Sequence, residues 1–341
     1  MRDLIDPLQW EIAVTSKAYR LKAARESLLN LPTLYPKGIV SSFESWRDYV
    51  EFLVLHREES PGYSAKTIAV KCSKRGNDVY GRRTERKLGF LKESENEVFF
   101  QPKDFDSDKP VKTRLLWVTL TWNSNLSSLK ESWEHGEYYY NLFITNLRNH
   151  YGRIDVLRFP QASPDENGAA YCYLHYHLVL LFLDCEFTVF PSLSSGGDLS
   201  YRIEEKDELA AQGKWHSFID VKAINSMAGI YNYAVKHYEN AGFGTSDEAT
   251  LNNAFCWIFK KKSYTVSGGF RARYAEYITS LRNSKTCLGQ SDLTGGVFPQ
   301  IWVLVGIKSV FELSGMYGGL DFGDRWTVEL PYCAWDPPGV R

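Results

Sequence analysis

The chain has 341 residues, of which 44% are hydrophobic and 15% aromatic, with 40 Lys and Arg against 41 Asp and Glu. That length and apolar content suffice for two or three packed units and exclude a disordered chain. A formal net charge of -1 excludes a globally basic nucleic-acid binder, so any such surface must be a local patch. Six cysteines are scattered without C-x-x-C spacing, and the segment from Met1 to Pro7 has no apolar signal core, so a reducing cytoplasm is expected. No apolar run approaches the roughly 20 residues that span a bilayer, so no membrane contact is expected.

Residues 1–105 read as a helical, basic region. Asp6-Pro7 has the N-cap and proline pairing that opens a helix, here to about Leu28. Ser41-Ser-Phe-Glu44 has capping-box spacing, and Phe43, Trp46, Val50, Leu53 and Val54 then recur at helical intervals. After the Pro61-Gly62 break come a short segment from Ser64 to Cys72, a turn at Lys74 to Asp78, a second segment from Val79 to Leu91 and a strand at Val98 to Gln101. Helix, short helix, turn, basic helix and strand is the order of a winged helix-turn-helix, whose third helix enters the major groove. Nine cations lie between Lys66 and Lys92 against Asp78 and Glu85. Lys74, Arg75, Arg82, Arg83, Arg86 and Lys87 are the candidate DNA contacts, able to reach phosphates or guanine edges. The plain alternative is a solvated helical face, and Gly81 and Gly89 weaken the helix.

Residues 106–245 follow a polar, proline-ended linker, Phe105 to Pro110. Leu115 to Trp122 reads as a strand, Ser128 to Arg148 as a helix, Ile154 to Phe159 as a strand, Pro164 to Gly168 as a turn and Ala170 to Leu183 as a central strand. A long polar loop from Pro191 to about Gly213, a strand from Trp215 to Val221 and a helix from Ile224 to about Glu239 complete the unit. The order predicts an α+β fold, a ferredoxin-like or RRM-like antiparallel sheet with helices on one face and the other face open. His175 and His177 lie two apart on the central strand, so both imidazoles project from one face. Alone, such a pair reads most simply as two core histidines with satisfied hydrogen bonds. Tyr233 and Lys236, three apart on the following helix, share a helical face. Tyr231 sits about 160° around the helix from Tyr233 and Tyr238 about 140°, so neither shares its site.

Residues 246–341 read as an accessory α/β region. A helix from about Glu248 to Lys260, a Ser267-Gly-Gly break and a helix around Ala272 to Leu281 precede strand-like runs at Ile301 to Ile307 and Trp326 to Leu330.

Three stretches carry a family resemblance. Trp117-Val-Thr-Leu-Thr121, His175-Tyr-His177 and the run from Ile230 through Tyr233 to Lys236 are similar, in order and spacing, to the three motifs of the HUH endonucleases. Within that superfamily the chain most resembles the rolling-circle replication initiators of plasmids and small viruses, over residues 113–240. The stretch from Trp257 to Phe270 also looks similar to one that follows the third motif in some archaeal-type members. The resemblance implies nicking of one DNA strand by Tyr233, leaving a 5′-phosphotyrosyl link and a 3′-hydroxyl primer. It implies Mn²⁺ or Mg²⁺ held by His175, His177 and one oxygen ligand, with Lys236 beside the phosphate. Many members place a Glu, Gln or Asp on the preceding strand as third ligand. Here Gln161 and Asp155 are the candidates, with Gln161 favoured for lying toward the loop end. Cys172 lies at an odd offset from His175 and faces the other way. Implied partners are origin DNA, duplex and single-stranded, and a host helicase or polymerase in a prokaryotic cytoplasm. A relaxase or HUH transposase shares the chemistry. A non-catalytic RRM-like binder with Tyr171 and Tyr173 stacking on bases is the rival of another class.

Overall fold

The structure is a computed structural model that describes residues 23, 25–31, 33–57, 66–93, 98–106, 109–193, 197–236, 247–288, 303–309 and 327–330. Residues 6–22 of the helix expected from Asp6 lie outside the described residues, as do His237, Tyr238 and the loop at Gly242, and the end of that helix is helical over residues 25–29. The fold is α+β with antiparallel sheets. Among the described residues, no helix is long and apolar enough to cross a membrane.

In chain order the elements begin with α1 (Pro36–Asp48), β1 (Glu51–Arg57), β2 (Lys66–Lys71), α2 (Asp78–Leu88), α3 (Phe90–Glu93), β3 (Val111–Thr113) and β4 (Leu115–Thr121). Then come α4 (Leu129–Tyr151), β5 (Ile154–Ala162), β6 (Leu174–Phe182), β7 (Phe187–Leu193), β8 (Leu199–Ile203), α5 (Lys206–Gly213), β9 (Ile219–Ala223) and α6 (Met227–Lys236). The last are α7 (Asp247–Ile258), β10 (Thr265–Val266), α8 (Gly268–Leu288), β11 (Val303–Ser309) and β12 (Thr327–Leu330).

The central sheet has the order β10-β5-β6-β4-β9, with every neighbouring pair antiparallel. Helix α4 follows the first of these strands, and β6 inserts between β4 and β5. A complete capping box at Ser128 and Glu131 fixes where α4 starts. On one side, Leu116, Val118, Leu120, Val156, Leu178 and Leu180 pack against α1, α4, α5 and α7 through Phe43, Trp133, Phe143, Leu209 and Phe255. On the other, Leu115, Leu157, Phe159, Val179 and Leu181 pack against α2, α3, α6 and α8 through Leu88, Phe90, Tyr231 and Phe270. The expected open face is therefore largely closed. Strands β5 and β6 are covered on both sides and are buried almost without interruption, as continuous apolar strands are. Strands β4 and β9 keep a buried and half-buried alternation, so the second face remains partly uncovered at that end of the sheet.

Several local expectations are corrected. Helix α1 starts at Pro36, a favourable first position, so Ser41 and Glu44 lie inside it, and Leu53 and Val54 belong to β1 instead. The short segment before the turn is the strand β2, where a winged helix-turn-helix needs a helix. The reason is long-range: β1 and β2 join β11 and β12 in a four-stranded sheet of order β11-β1-β2-β12. First and last stretches of the chain thus share one sheet. The polar loop from Pro191 to Gly213 contains the β7–β8 hairpin and α5, and β7–β8 extends into a three-stranded sheet with β3. Gly81 lies within α2, which Asn77 caps through Tyr80 N–H, whereas Gly89 is the C-cap that ends α2 at Leu88, so the expected segment to Leu91 divides into α2 and α3. At the Ser267-Gly-Gly break, Gly268 takes a positive φ of 58°. A Cβ there would fall 1.6 Å from an Asp155 oxygen, so the turn requires glycine.

Candidate active site

Antiparallel register brings the histidines to their neighbours. His175 pairs with Gln161 of β5 and Thr121 of β4, and His177 pairs with Phe159 and Thr119. Directly opposed residues on one face approach to about 5 Å, so Gln161, His175, His177 and Thr119 form a cluster. The two imidazoles turn their Nε2 atoms toward each other at 3.0 Å. His177 Nδ1 lies 3.1 Å from Thr119 Oγ1. With the proton on Nδ1 donated to that hydroxyl, Nε2 of His177 keeps its lone pair for the cluster. Trp117 stacks on the His177 ring at 5.1 Å and holds its plane.

Helix α6 lays Tyr233 over the same group. Its ring meets Trp117 and His177 edge-on, at 4.9 and 5.1 Å. The hydroxyl donates to Gln161 Oε1 at 2.8 Å, and Gln161 Nε2 donates to Glu248 Oε1 at 2.8 Å. Burial, and then the charge of Glu248, raise the Tyr233 phenol above its ordinary pKa. In this arrangement the phenol resists ionisation. Gln161 is 3% exposed and His175 9%.

The donor set fits a divalent ion. Two ligands cis to one another around an octahedral ion, each about 2.1 Å from it, lie about 3.0 Å apart, which is the separation of the two Nε2 atoms. Among the described residues no group of three His, Cys, Asp or Glu side chains is placed to hold a metal. The Gln161 amide oxygen is a donor of the cluster that could join the two imidazoles, and a mixed imidazole and amide set with open positions would suit an ion that also binds substrate oxygens. Asp155 is excluded from that role: it sits six residues back along β5, against Gly268 and Gly269.

Other expected site residues divide. Lys236 is exposed in the last turn of α6. Tyr231 is buried on a different side of α6, donating to Glu85 Oε1 at 3.3 Å with Lys92 Nζ 4.0 Å above its ring. Arg82, Arg83 and Arg86 are exposed on α2, and Lys87 is half-buried, its pKa lowered by burial and by Arg83 and Arg86. Lys74 and Arg75 do not belong to that surface. Lys74 is buried, paired with Glu51 at 2.8 Å and donating to the Trp46 and Tyr49 carbonyls. Arg75 donates to Ser263 Oγ at 2.7 Å and to the Lys261 carbonyl at 2.6 Å. Both are structural clamps between segments.

Glu248 was not singled out by the sequence, and its signal is a helical stripe. In α7, Glu248, Asn252 and Cys256 recur every four residues among apolar neighbours. They address the end of β5 in turn: Glu248 takes the Gln161 side chain, Asn252 Oδ1 accepts from Ala162 N–H at 3.3 Å, and Cys256 Sγ lies 3.9 Å from the Pro160 carbonyl. No family model matches the sequence, and comparison with curated proteins and with solved structures returned no match. A functional reading therefore rests on the residues of the cluster.

Proposed function

We propose that the protein is a DNA-nicking replication initiator of HUH type, in which Tyr233 attacks a backbone phosphate held at the histidine pair. The observation that carries this reading is the convergence of His175, His177, Gln161 and Tyr233, drawn from β5, β6 and α6. The central sheet supports it, since its strand order is that of the split β-α-β arrangement.

A Mn²⁺ or Mg²⁺ ion at this site supplies Lewis-acid polarisation of the phosphoryl oxygen and charge to stabilise a phenolate. The chain's own residues do the remainder. Trp117 and Thr119 fix His177, and Gln161 accepts the hydrogen bond of the Tyr233 hydroxyl beside the cluster. In the step itself the Tyr233 oxygen bonds to phosphorus as the P–O3′ bond breaks. The phenolic proton passes to water, and the departing 3′-oxygen takes a proton from water in turn, leaving a free 3′-hydroxyl, the primer end. Lys236, exposed one turn from Tyr233, is positioned to pair with phosphate entering from solvent. The exposed Arg82, Arg83 and Arg86 of α2 make backbone contacts to origin duplex. A relaxase or transposase would share the chemistry and differ in the origin and in recruiting a host helicase or polymerase.

The test is incubation with single-stranded origin oligonucleotides and Mn²⁺, with and without EDTA, followed by denaturing electrophoresis. A protein–DNA adduct that needs the metal supports the reading. Tight binding with no adduct across candidate origins favours a non-catalytic RRM-like binder.

A further inference from the structure

We infer that the uncovered end of the central sheet carries a subsite for one unpaired nucleotide, with Phe218 as the stacking platform. This rests on the nicking reading for its place in the reaction, and on separate observations for its existence.

The half of the sheet that bears the histidines is closed by helices, and the cover thins across β4, where Leu115 is still buried and Trp117 meets Tyr233 of α6, towards β9. There the residues on the histidine face, Trp117, Thr119 and Thr121 of β4 and Asp220 and Lys222 of β9, are all half-buried, while Ile219, Val221 and Ala223 point into the opposite core. Phe218 continues the alternation one step before β9: its carbonyl accepts from Thr121 N–H at 3.0 Å. That bond sets Phe218 opposite Thr121, as Ile219 is opposite Leu120. Three cross-strand rows therefore run outward from the cluster: His175 to Thr121 to Phe218, His177 to Thr119 to Asp220, and Val179 to Trp117 to Lys222. The outer ends are two strand spacings from the histidine strand, about 10 Å.

The chemistry of this floor suits a single strand. Phe218 is 61% exposed and stands opposite Thr121, so its ring face is open to solvent. Lys206 Nζ lies 5.9 Å from its ring centroid. Asp220 is ion-paired with both Arg202 and Lys222, and Lys206 brings a further cation beside the ring. An aromatic face beside lysines and threonine hydroxyls is the combination that binds an unstacked base and its phosphate without reading sequence. A folded partner would need a broad apolar surface, whereas this floor offers Phe218 and the half-buried Trp117 among polar groups.

The experiment uses full-length protein carrying Tyr233→Phe, so that nothing turns over, and a fluorescent single-stranded oligonucleotide in EDTA. Phe218→Leu keeps apolar volume and removes the π-face, and Phe218→Trp keeps the face. Stacking on a protein aromatic predicts binding weakened by about 5- to 100-fold in the leucine variant and preserved in the tryptophan variant. An oligonucleotide series with one abasic site moved along the strand should show a single sensitive position in the parent that becomes insensitive in Phe218→Leu. Affinity within twofold of the parent, or an abasic penalty that is the same in both proteins, overturns the subsite. Adduct formation at Tyr233 in the otherwise unchanged chain is scored separately. An adduct with Phe218-independent binding rejects the subsite alone, and Phe218-dependent binding with no adduct keeps the subsite and rejects the nicking reading.

Discussion

Removing the Glu248 carboxylate tests how the cluster is held. Gln161 can face its neighbours in two ways, differing by a flip that exchanges oxygen and nitrogen. Glu248, when ionised, only accepts hydrogen bonds, so the Nε2 end must turn to it and Oε1 is left to face Tyr233. A hydrogen bond to a charged acceptor contributes about 1.5 to 3 kcal/mol, and stranding the buried Nε2 adds to the cost of losing it. In Glu248→Ala the amide is free to flip, and a flipped amide offers N–H groups, which cannot bind a metal. Loss of a partner that orients a metal ligand typically lowers metal affinity by about 10- to 100-fold. We expect that range for Mn²⁺ binding to Glu248→Ala, measured by electron paramagnetic resonance of free Mn²⁺, with adduct yield recovering at high metal. Glu248→Gln retains an oxygen acceptor and should bind within a fewfold of the parent. Unchanged affinity in Glu248→Ala would refute the orienting role, and a glutamine variant as weak as the alanine one would show that charge, not orientation, matters.

His175→Ala or His177→Ala should abolish adduct formation while duplex binding by filter retention stays within about threefold, since the exposed arginines lie on α2; equal loss of both activities would contradict this. Replacing Arg82, Arg83 and Arg86 together by Ala should lower the slope of log affinity against log salt by roughly 0.9 for each phosphate no longer neutralised, and an unchanged slope would make the patch a solvated face. Lys74→Ala should leave that slope alone and instead destabilise the fold by about 3 to 5 kcal/mol in urea titration, because it strands buried Glu51; a weaker duplex complex at unchanged stability would reverse the assignment.

The sequence made the central strands and the main helices around them legible, because a uniformly apolar β6 and the amphipathic α4 announce themselves locally. That His175 and His177 share a face was legible from the two-residue repeat of strands, whereas Tyr233, on a helix, was singled out through the family resemblance. What failed was long-range. The strand β2 pairs with Thr327–Leu330, far along the chain, and no local window records that partner. The closing of the second face depends on α2, α3 and α8, which reach the sheet from outside the central segment. Lys74 looked like a DNA contact because its partner, Glu51, lies on a different strand. The β7–β8 hairpin hides in a serine- and glycine-rich stretch whose exposed Leu193 and Leu199 resemble loop residues.

The central claim is that Tyr233 is the nucleophile, and mapping the covalent adduct tests it most directly. Digestion of the metal-dependent adduct and mass spectrometry should find the nucleotide on Tyr233, with Tyr233→Phe losing the adduct and retaining Mn²⁺ and DNA affinity. Tyr231→Phe should form it normally, since that side chain is turned to Glu85 and Lys92. A nucleotide on Tyr231 or Tyr238, or an adduct that persists in Tyr233→Phe, would contradict the account.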